Sequence, residues 1–134
     1  MILGAGIDII EVARIRASHE KFGERFLNRI LRPAEIAYCL SHRNPAPFLA
    51  ARFAAKEAIS KAFGTGIGRQ LGWQDMEVGR KDSGQPFVVL HDGGQKLFAM
   101  LPRNMKSAKA ASPCCGLPLS TSNSLSGTLF SRAR

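Results

Sequence analysis

No proline or glycine interrupts the chain from Phe48 to Phe63, and Ala, Lys, Glu and Phe dominate the run. Such a stretch has one good solution, an uninterrupted helix, and Gly64 stands where a left-handed glycine closes it. On that helix Phe53, Glu57 and Lys61 lie one above another at i, i+4 and i+8. Arg52, Lys56 and Ser60 make the neighbouring row. One helix thus sets a carboxylate beside three cations and a hydroxyl, a row suited to a divalent metal and the phosphates bound to it. The same spacing equally describes a surface ion pair between Glu57 and Lys61, worth about 0.2–0.5 kcal/mol.

The run Gly64-Thr65-Gly66-Ile67-Gly68 invites a phosphate-loop reading that fails on order. A nucleotide-binding glycine loop follows a strand and opens a helix, so that the helix N-terminus faces the anion. Here the glycines close a helix, and its C-terminal dipole end repels phosphate mildly. Lysine and arginine side chains must therefore supply the positive charge for any phosphate bound here.

A chain of 134 residues is most simply one domain, long enough to bury roughly two-thirds of its unfolded surface. No apolar run approaches the ~20 residues that span a bilayer, and Met1-Ile2-Leu3-Gly4 lacks the basic start of a signal peptide. The cytoplasm is the expected compartment. Cys39, Cys114 and Cys115 are odd in number and without a C-x-x-C spacing, which argues against both a disulfide framework and a zinc site. The net charge of +9 is uneven: no acidic residue follows Asp92, while Lys96, Arg103, Lys106, Lys109, Arg132 and Arg134 do. This balance favours an anionic partner without choosing among nucleic acid, membrane surface, phosphorylated cofactor and acidic protein.

In chain order, Ile2 to Ile10 reads as a strand lightened by Gly4 and Gly6. Asp8, between Ile7 and Ile9, is a helix cap or a ligand; with Glu11 it has capping-box spacing, and the cap is favoured by the residues alone. Amphipathic helix follows from Val12 to Arg32, broken near Gly23, with Arg14, Arg25, Arg29 and Arg32 on a positive surface. That surface is either a solvated face or a docking site for an acidic helix. A helix from Pro33 to Ser41 carries Glu35 in its first turn, and His42 reads as a surface histidine without a partner. Beyond the long helix, Leu71–Val78 and Phe87–Leu90 flank a Gly- and Pro-containing turn, a hairpin signal, and Asp92 to Leu101 reads as a short helix. From Pro102 the chain is rich in Ser, Ala and Pro with weak periodicity, its best apolar alternation lying around Leu117 to Leu125.

Four words then coincide in order and spacing: Gly4-Ala5-Gly6-Ile7-Asp8-Ile9-Ile10-Glu11, Arg25-Phe26-Leu27-Asn28-Arg29-Ile30-Leu31, the whole of Arg52 to Gly68, and Gly84-Gln85-Pro86. Over residues 1–100 the sequence resembles the holo-acyl-carrier-protein synthases, the small bacterial phosphopantetheinyl transferases. The resemblance implies an α+β, phosphopantetheinyl transferase-like fold, with an antiparallel or mixed sheet and a long central helix. It implies a homotrimer with each site at a subunit boundary. It implies an Mg²⁺-dependent enzyme that moves the 4′-phosphopantetheine arm of coenzyme A onto a serine of apo acyl carrier protein, leaving adenosine 3′,5′-bisphosphate. By position, Asp8 and Glu57 would ligate the metal and, with Lys61, make the catalytic group. Lys61, Arg52, Lys56 and Ser60 would hold the phosphates, and Gly64, Thr65 and Gly66 would let the backbone approach the nucleotide. Arg14, Arg25 and Arg29 would meet the acidic carrier protein. A general base for the carrier serine would be Glu35 or a water on the metal.

Residues 1–101 form the main part of this expected domain and 102–134 an atypical tail of it. Members of the family close with a strand carrying S-x-S-H, whereas the nearest match here is Pro118-Leu119-Ser120-Thr121, and no histidine follows His91. The tail has diverged or its reading frame has changed, and the sheet is then expected to lose its closing strand. Two other functions stay open: an inactive relative that binds coenzyme A or carrier protein without transfer, and a basic nucleic-acid-binding protein. Against the second, one Trp and one Tyr make no stacking platform, and no nucleic-acid-reading motif is present. The sequence is thus expected to serve neither nucleic acid nor membrane.

Overall fold

The structure, a computed structural model, describes residues 4–101 and the backbone of Ser124–Leu125 and Ser131–Ala133. Strand β1 (Asp8–Ile10) leads into helices α1 (Val12–Phe22), α2 (Glu24–Ile30), α3 (Pro33–Leu40) and α4 (Ala46–Ala62). A single 3-10 turn, Trp73–Asp75, precedes the hairpin β2 (Met76–Arg80) and β3 (Pro86–Leu90), and α5 (Asp92–Met100) follows. Two short strands, β4 (Ser124–Leu125) and β5 (Ser131–Ala133), come from the tail. β4 extends the hairpin as an antiparallel third strand, and β5 lies parallel to β1 with Asp8 opposite Ser131. The arrangement is α+β, with α4 as its spine. Cys114, Cys115, the Pro118–Thr121 segment and the rest of the tail lie outside the described residues.

Local chemistry accounts for the breaks. Gly23 takes φ +52°, open to glycine at little cost, and separates α1 from α2. Pro33 occupies the first turn of α3. α4 ends as its sequence predicts, with Gly64 at φ +75° and the amides of Thr65 and Gly66 returned to the Ser60 carbonyl. The cap predicted for Asp8 does not form: Glu11 is the N-cap residue of α1, and Asp8 lies within β1. His42 is not an unpartnered surface residue either, because its ring stacks on Phe48 at 3.6 Å and its Nδ1 lies 2.8 Å from the Tyr38 carbonyl.

Apolar residues divide into two clusters along α4. Ile15, Leu27, Ile30, Leu31, Cys39, Leu49 and Ala50 fill the space between α4 and the first three helices. Ile59, Leu71, Met76, Val88 and Leu90 fill the space beneath the hairpin. Between them sits a buried ion pair. Lys56 Nζ donates to Glu35 Oε2 at 2.7 Å, to the Ile30 carbonyl at 2.7 Å and to the Trp73 carbonyl at 3.0 Å, so each ammonium proton has an acceptor. Glu35 in turn accepts from the Arg32 amide at 2.8 Å and the Val78 amide at 2.9 Å. Burial lowers the Lys56 pKa, opposed by the Glu35 charge.

The chain before β1 passes against α4 so closely that only glycine fits. A Cβ on Gly6 would lie 1.8 Å from the Ala58 carbonyl oxygen, and one on Gly4 2.0 Å from that of Ala62. The alanines of α4, with Ala54 and Ala58 fully buried, keep that surface low.

Lys56→Met should destabilise the fold by about 3–5 kcal/mol in urea titrations, because Glu35 is left buried and uncompensated. Adding Glu35→Gln should recover part of that loss. Cys39 gives a second check. Burial pushes its thiol up to about 11, against the nearby Arg52 charge, so the stability it lends is full below the ordinary thiol value of 9.0 and is lost as pH rises through about 11. Iodoacetamide at about pH 9 should label Cys39 at least ~50-fold more slowly in the folded chain than in urea, read by peptide mass spectrometry.

Candidate functional site

β1 and α4 bring together residues separated by half the chain. Asp8 and Glu57 line one cleft of about 450 Å³ with Ile10, Arg14, Ser18 and Phe53. Lys61 Nζ donates to Asp8 Oδ1 at 2.6 Å and to the Ile7 carbonyl at 3.3 Å. The i, i+4 pair read between Glu57 and Lys61 is therefore replaced by a pairing of Lys61 with Asp8, across two elements. Burial raises the Glu57 pKa, and the negative charge of Asp8 raises it further, with Lys61 opposing. The hydrogen bond to Asp8 is the main cause of the raised Lys61 pKa.

Two carboxylates that repel each other in a cleft open to solvent make a donor set that fits a hard divalent cation. No group of three or more His, Cys, Asp and Glu residues suited to a metal occurs among the described residues. Mg²⁺ commonly takes one or two carboxylates and completes its shell with substrate phosphate and water, so Asp8 and Glu57 meet its needs without a third protein ligand.

The second row read on α4 behaves differently. Lys56 and Ser60 are fully buried. The Lys56 ammonium is held in the core, and Ser60 Oγ donates to the Glu57 carbonyl at 2.8 Å. The sequence reading set both on the phosphates of coenzyme A; α4 is covered on this side, and their row turns inward. Glu35 is likewise no free base, since its oxygens serve Lys56 and two backbone amides inside the fold. Arg52 is 8% exposed, with its guanidinium 4.1 Å from the Tyr38 ring centroid and its Nε without a hydrogen-bond partner among the described residues. It lines a different groove of about 420 Å³, between α4 and the hairpin. That groove shares no lining residue with the Asp8 and Glu57 cleft. At 100° per residue, its helix positions 51, 52, 55 and 59 lie across α4 from 53 and 57.

Gly64 and Gly66 both have positive φ, and nothing lies within 4 Å of where a side chain would start, so ligand can approach the backbone there. Thr65 Oγ1 donates to the Gly66 carbonyl at 3.0 Å. Arg14, Arg25 and Arg29 are exposed, and Arg14 stands at the rim of the carboxylate cleft. Sequence reasoning missed Ser18 as a cleft residue and Tyr38 as the platform beneath Arg52. Ser18 was legible, one turn of α1 beyond Arg14; Tyr38 was not, because its contact with Arg52 depends on how α3 crosses α4.

The model of the 4′-phosphopantetheinyl transferase superfamily matches residues 4–107. A holo-[acyl-carrier-protein] synthase of Koribacter versatilis is 57% identical over 91 residues, covering 68% of this chain and 73% of that protein. The crystal structure of the Neisseria meningitidis holo-[acyl-carrier-protein] synthase superposes with a TM-score of 0.68 at 37% identity, covering 74% of this chain and 79% of that one. That of the Helicobacter pylori enzyme in complex with coenzyme A gives 0.64 at 35% identity, covering 71% and 80%. The α+β fold inferred from the sequence is the fold of these structures.

Gly6→Ala should cost about 1–3 kcal/mol of stability, because its methyl group meets backbone rather than a movable side chain. The strain should be relieved by displacing β1, so the same variant should lose the Asp8 and Lys61 contact, seen as a return of the Lys61 amine toward its ordinary pKa by NMR.

Proposed function

The chain belongs to the 4′-phosphopantetheinyl transferase superfamily, and from that membership we propose that it moves the 4′-phosphopantetheine arm of coenzyme A onto a serine of an apo acyl carrier protein. The serine Oγ bonds to the β-phosphorus, the bridging P–O bond breaks, adenosine 3′,5′-bisphosphate departs and the serine proton is released. The observation that carries this reading is Asp8 and Glu57, from β1 and α4, lining one cleft beside Lys61. These carboxylates would hold Mg²⁺, which supplies charge neutralisation on the pyrophosphate. Lys61, half-exposed, adds a point charge for the phosphates and holds Asp8 in place before they arrive. Glycines 64 and 66 leave room for the nucleotide beside it.

Arg14, Arg25 and Arg29 would receive the acidic carrier protein, and the position of Arg14 on the cleft supports an approach that delivers the serine to the carboxylates. The opposite placement of Arg52 favours a site shared between copies. One copy would supply Asp8, Glu57 and Lys61, and its neighbour would supply Arg52. Ile7, just before β1, and Ile9, within it, are 71% and 62% exposed and are suited to such a contact. A homotrimer in the cytoplasm is the proposed state. No helix among the described residues is long and apolar enough to cross a membrane.

Incubation of apo carrier protein with coenzyme A, Mg²⁺ and this protein should add a phosphopantetheine mass to the carrier. Asp8→Ala and Glu57→Ala should each lower kcat/KM at least ~100-fold. Each should also abolish the Mg²⁺-dependent rise in melting temperature seen with coenzyme A present. Coenzyme A binding without mass gain would mean a relative that has kept recognition and lost transfer. DNA binding indifferent to Mg²⁺ and coenzyme A would refute the reading altogether.

A further inference from the structure

We propose that Tyr38 is a positioning residue for coenzyme A, one that assembles Arg52 and Arg80 into a single anion clamp in the groove between α4 and the hairpin. The inference rests on the reading of Arg52 as a phosphate-binding residue. Tyr38 engages both cations with different parts of its side chain. Its ring lies 4.1 Å from the Arg52 guanidinium carbon, and its hydroxyl accepts from Arg80 Nη1 at 3.3 Å.

The surroundings hold this arrangement still. His42 Nδ1 lies 2.8 Å from the Tyr38 carbonyl, and because a carbonyl only accepts, Nδ1 carries the hydrogen. The same histidine stacks on Phe48 at 3.6 Å, and Phe48 meets the Tyr38 ring edge-on at 6.1 Å. Arg80 is tied from its other side, its Nε donating to the Gly84 carbonyl at 2.8 Å. Tyr38, Phe48, Arg52, Arg80 and Gly84 all line the groove, and among the described residues no carboxylate does. Two guanidinium groups held on one tyrosine, one of them with a buried, unpartnered Nε, leave a concentration of positive charge that the described residues do not neutralise. Phe48, Pro86 and Phe87 give the groove an apolar wall, and low-dielectric walls strengthen the pull of a cation on an anion.

The test is steady-state kinetics of the full chain with coenzyme A and apo carrier protein, together with calorimetric Kd values for coenzyme A. Tyr38→Phe keeps the ring and removes only the Arg80 contact; KM and Kd for coenzyme A should rise about threefold. Tyr38→Leu also removes the surface under Arg52, and the rise should reach about tenfold. In both, kcat and the KM for carrier protein should stay within about twofold, the split expected when binding alone is weakened. Arg80→Met removes the cation itself, so its rise should equal or exceed that of Tyr38→Phe, and adding Tyr38→Phe to it should change nothing further. Circular dichroism melting of Tyr38→Phe separates a positioning role from misfolding. Unchanged coenzyme A affinity in both Tyr38 variants, a fall confined to kcat, or additive effects of Tyr38→Phe and Arg80→Met would overturn the proposal. A parent protein that neither binds coenzyme A nor transfers from it would instead overturn the function on which the proposal depends, and the proposal with it.

Discussion

One buried ammonium organises this molecule. Lys56 satisfies its three protons on the end of α2, the start of α3 and the 3-10 turn before the hairpin, while its counter-charge Glu35 also holds the Arg32 amide that caps α3 and an amide of β2. No apolar side chain could do this, because dispersion does not specify direction and hydrogen bonds do. The two apolar clusters on either side supply cohesion; the ion pair fixes how the helical half and the sheet half are set against each other. Burial of such a pair is weak as a source of net stability and strong as a constraint on arrangement, since each alternative packing strands a charge.

That constraint reaches the candidate site through α4. Lys56 anchors the helix from within, and its neighbour Glu57 consequently projects into the cleft beneath β1. Gly4 and Gly6 then let the chain lie directly on the helix backbone, which puts Asp8 beside Lys61. A carboxylate pair built this way uses a rigid helix and a strand pressed on it, so little would remain to be ordered on taking the proposed cation. Mutual repulsion of the carboxylates is moderated by Lys61, the residue best placed to exchange that partner for a phosphate.

Much of this was legible in the residues. The length and end of α4, the break at Gly23, the hairpin and the short helix from Asp92 all follow from Gly and Pro placement and apolar spacing. The link between Asp8 and Glu57 was legible only through the resemblance, because nothing local joins a strand to a helix some fifty residues later. The fate of Lys56 was misread, although a signal existed: it stands seven residues after Leu49 and three before Ile59, on the apolar row of α4. Charge type prompted a surface reading where periodicity pointed inward. Helix spacing alone also could not tell that α4 would be covered on nearly every side, which is what separates Arg52 from Glu57 and sends them to different grooves.

The parallel pairing of β1 with β5 carries a consequence for how the protein is made. Asp8 is made long before the strand opposite it, Ser131–Ala133. Parallel neighbours cannot be joined by a tight turn, so nothing nearby in the chain substitutes for the missing ladder. A nascent chain that has already folded α4 and laid its two glycines across it still carries β1 with one edge open. Closure of that edge therefore waits on the arrival of Ser131–Ala133, and a chain released before then would present the open edge to other polypeptides.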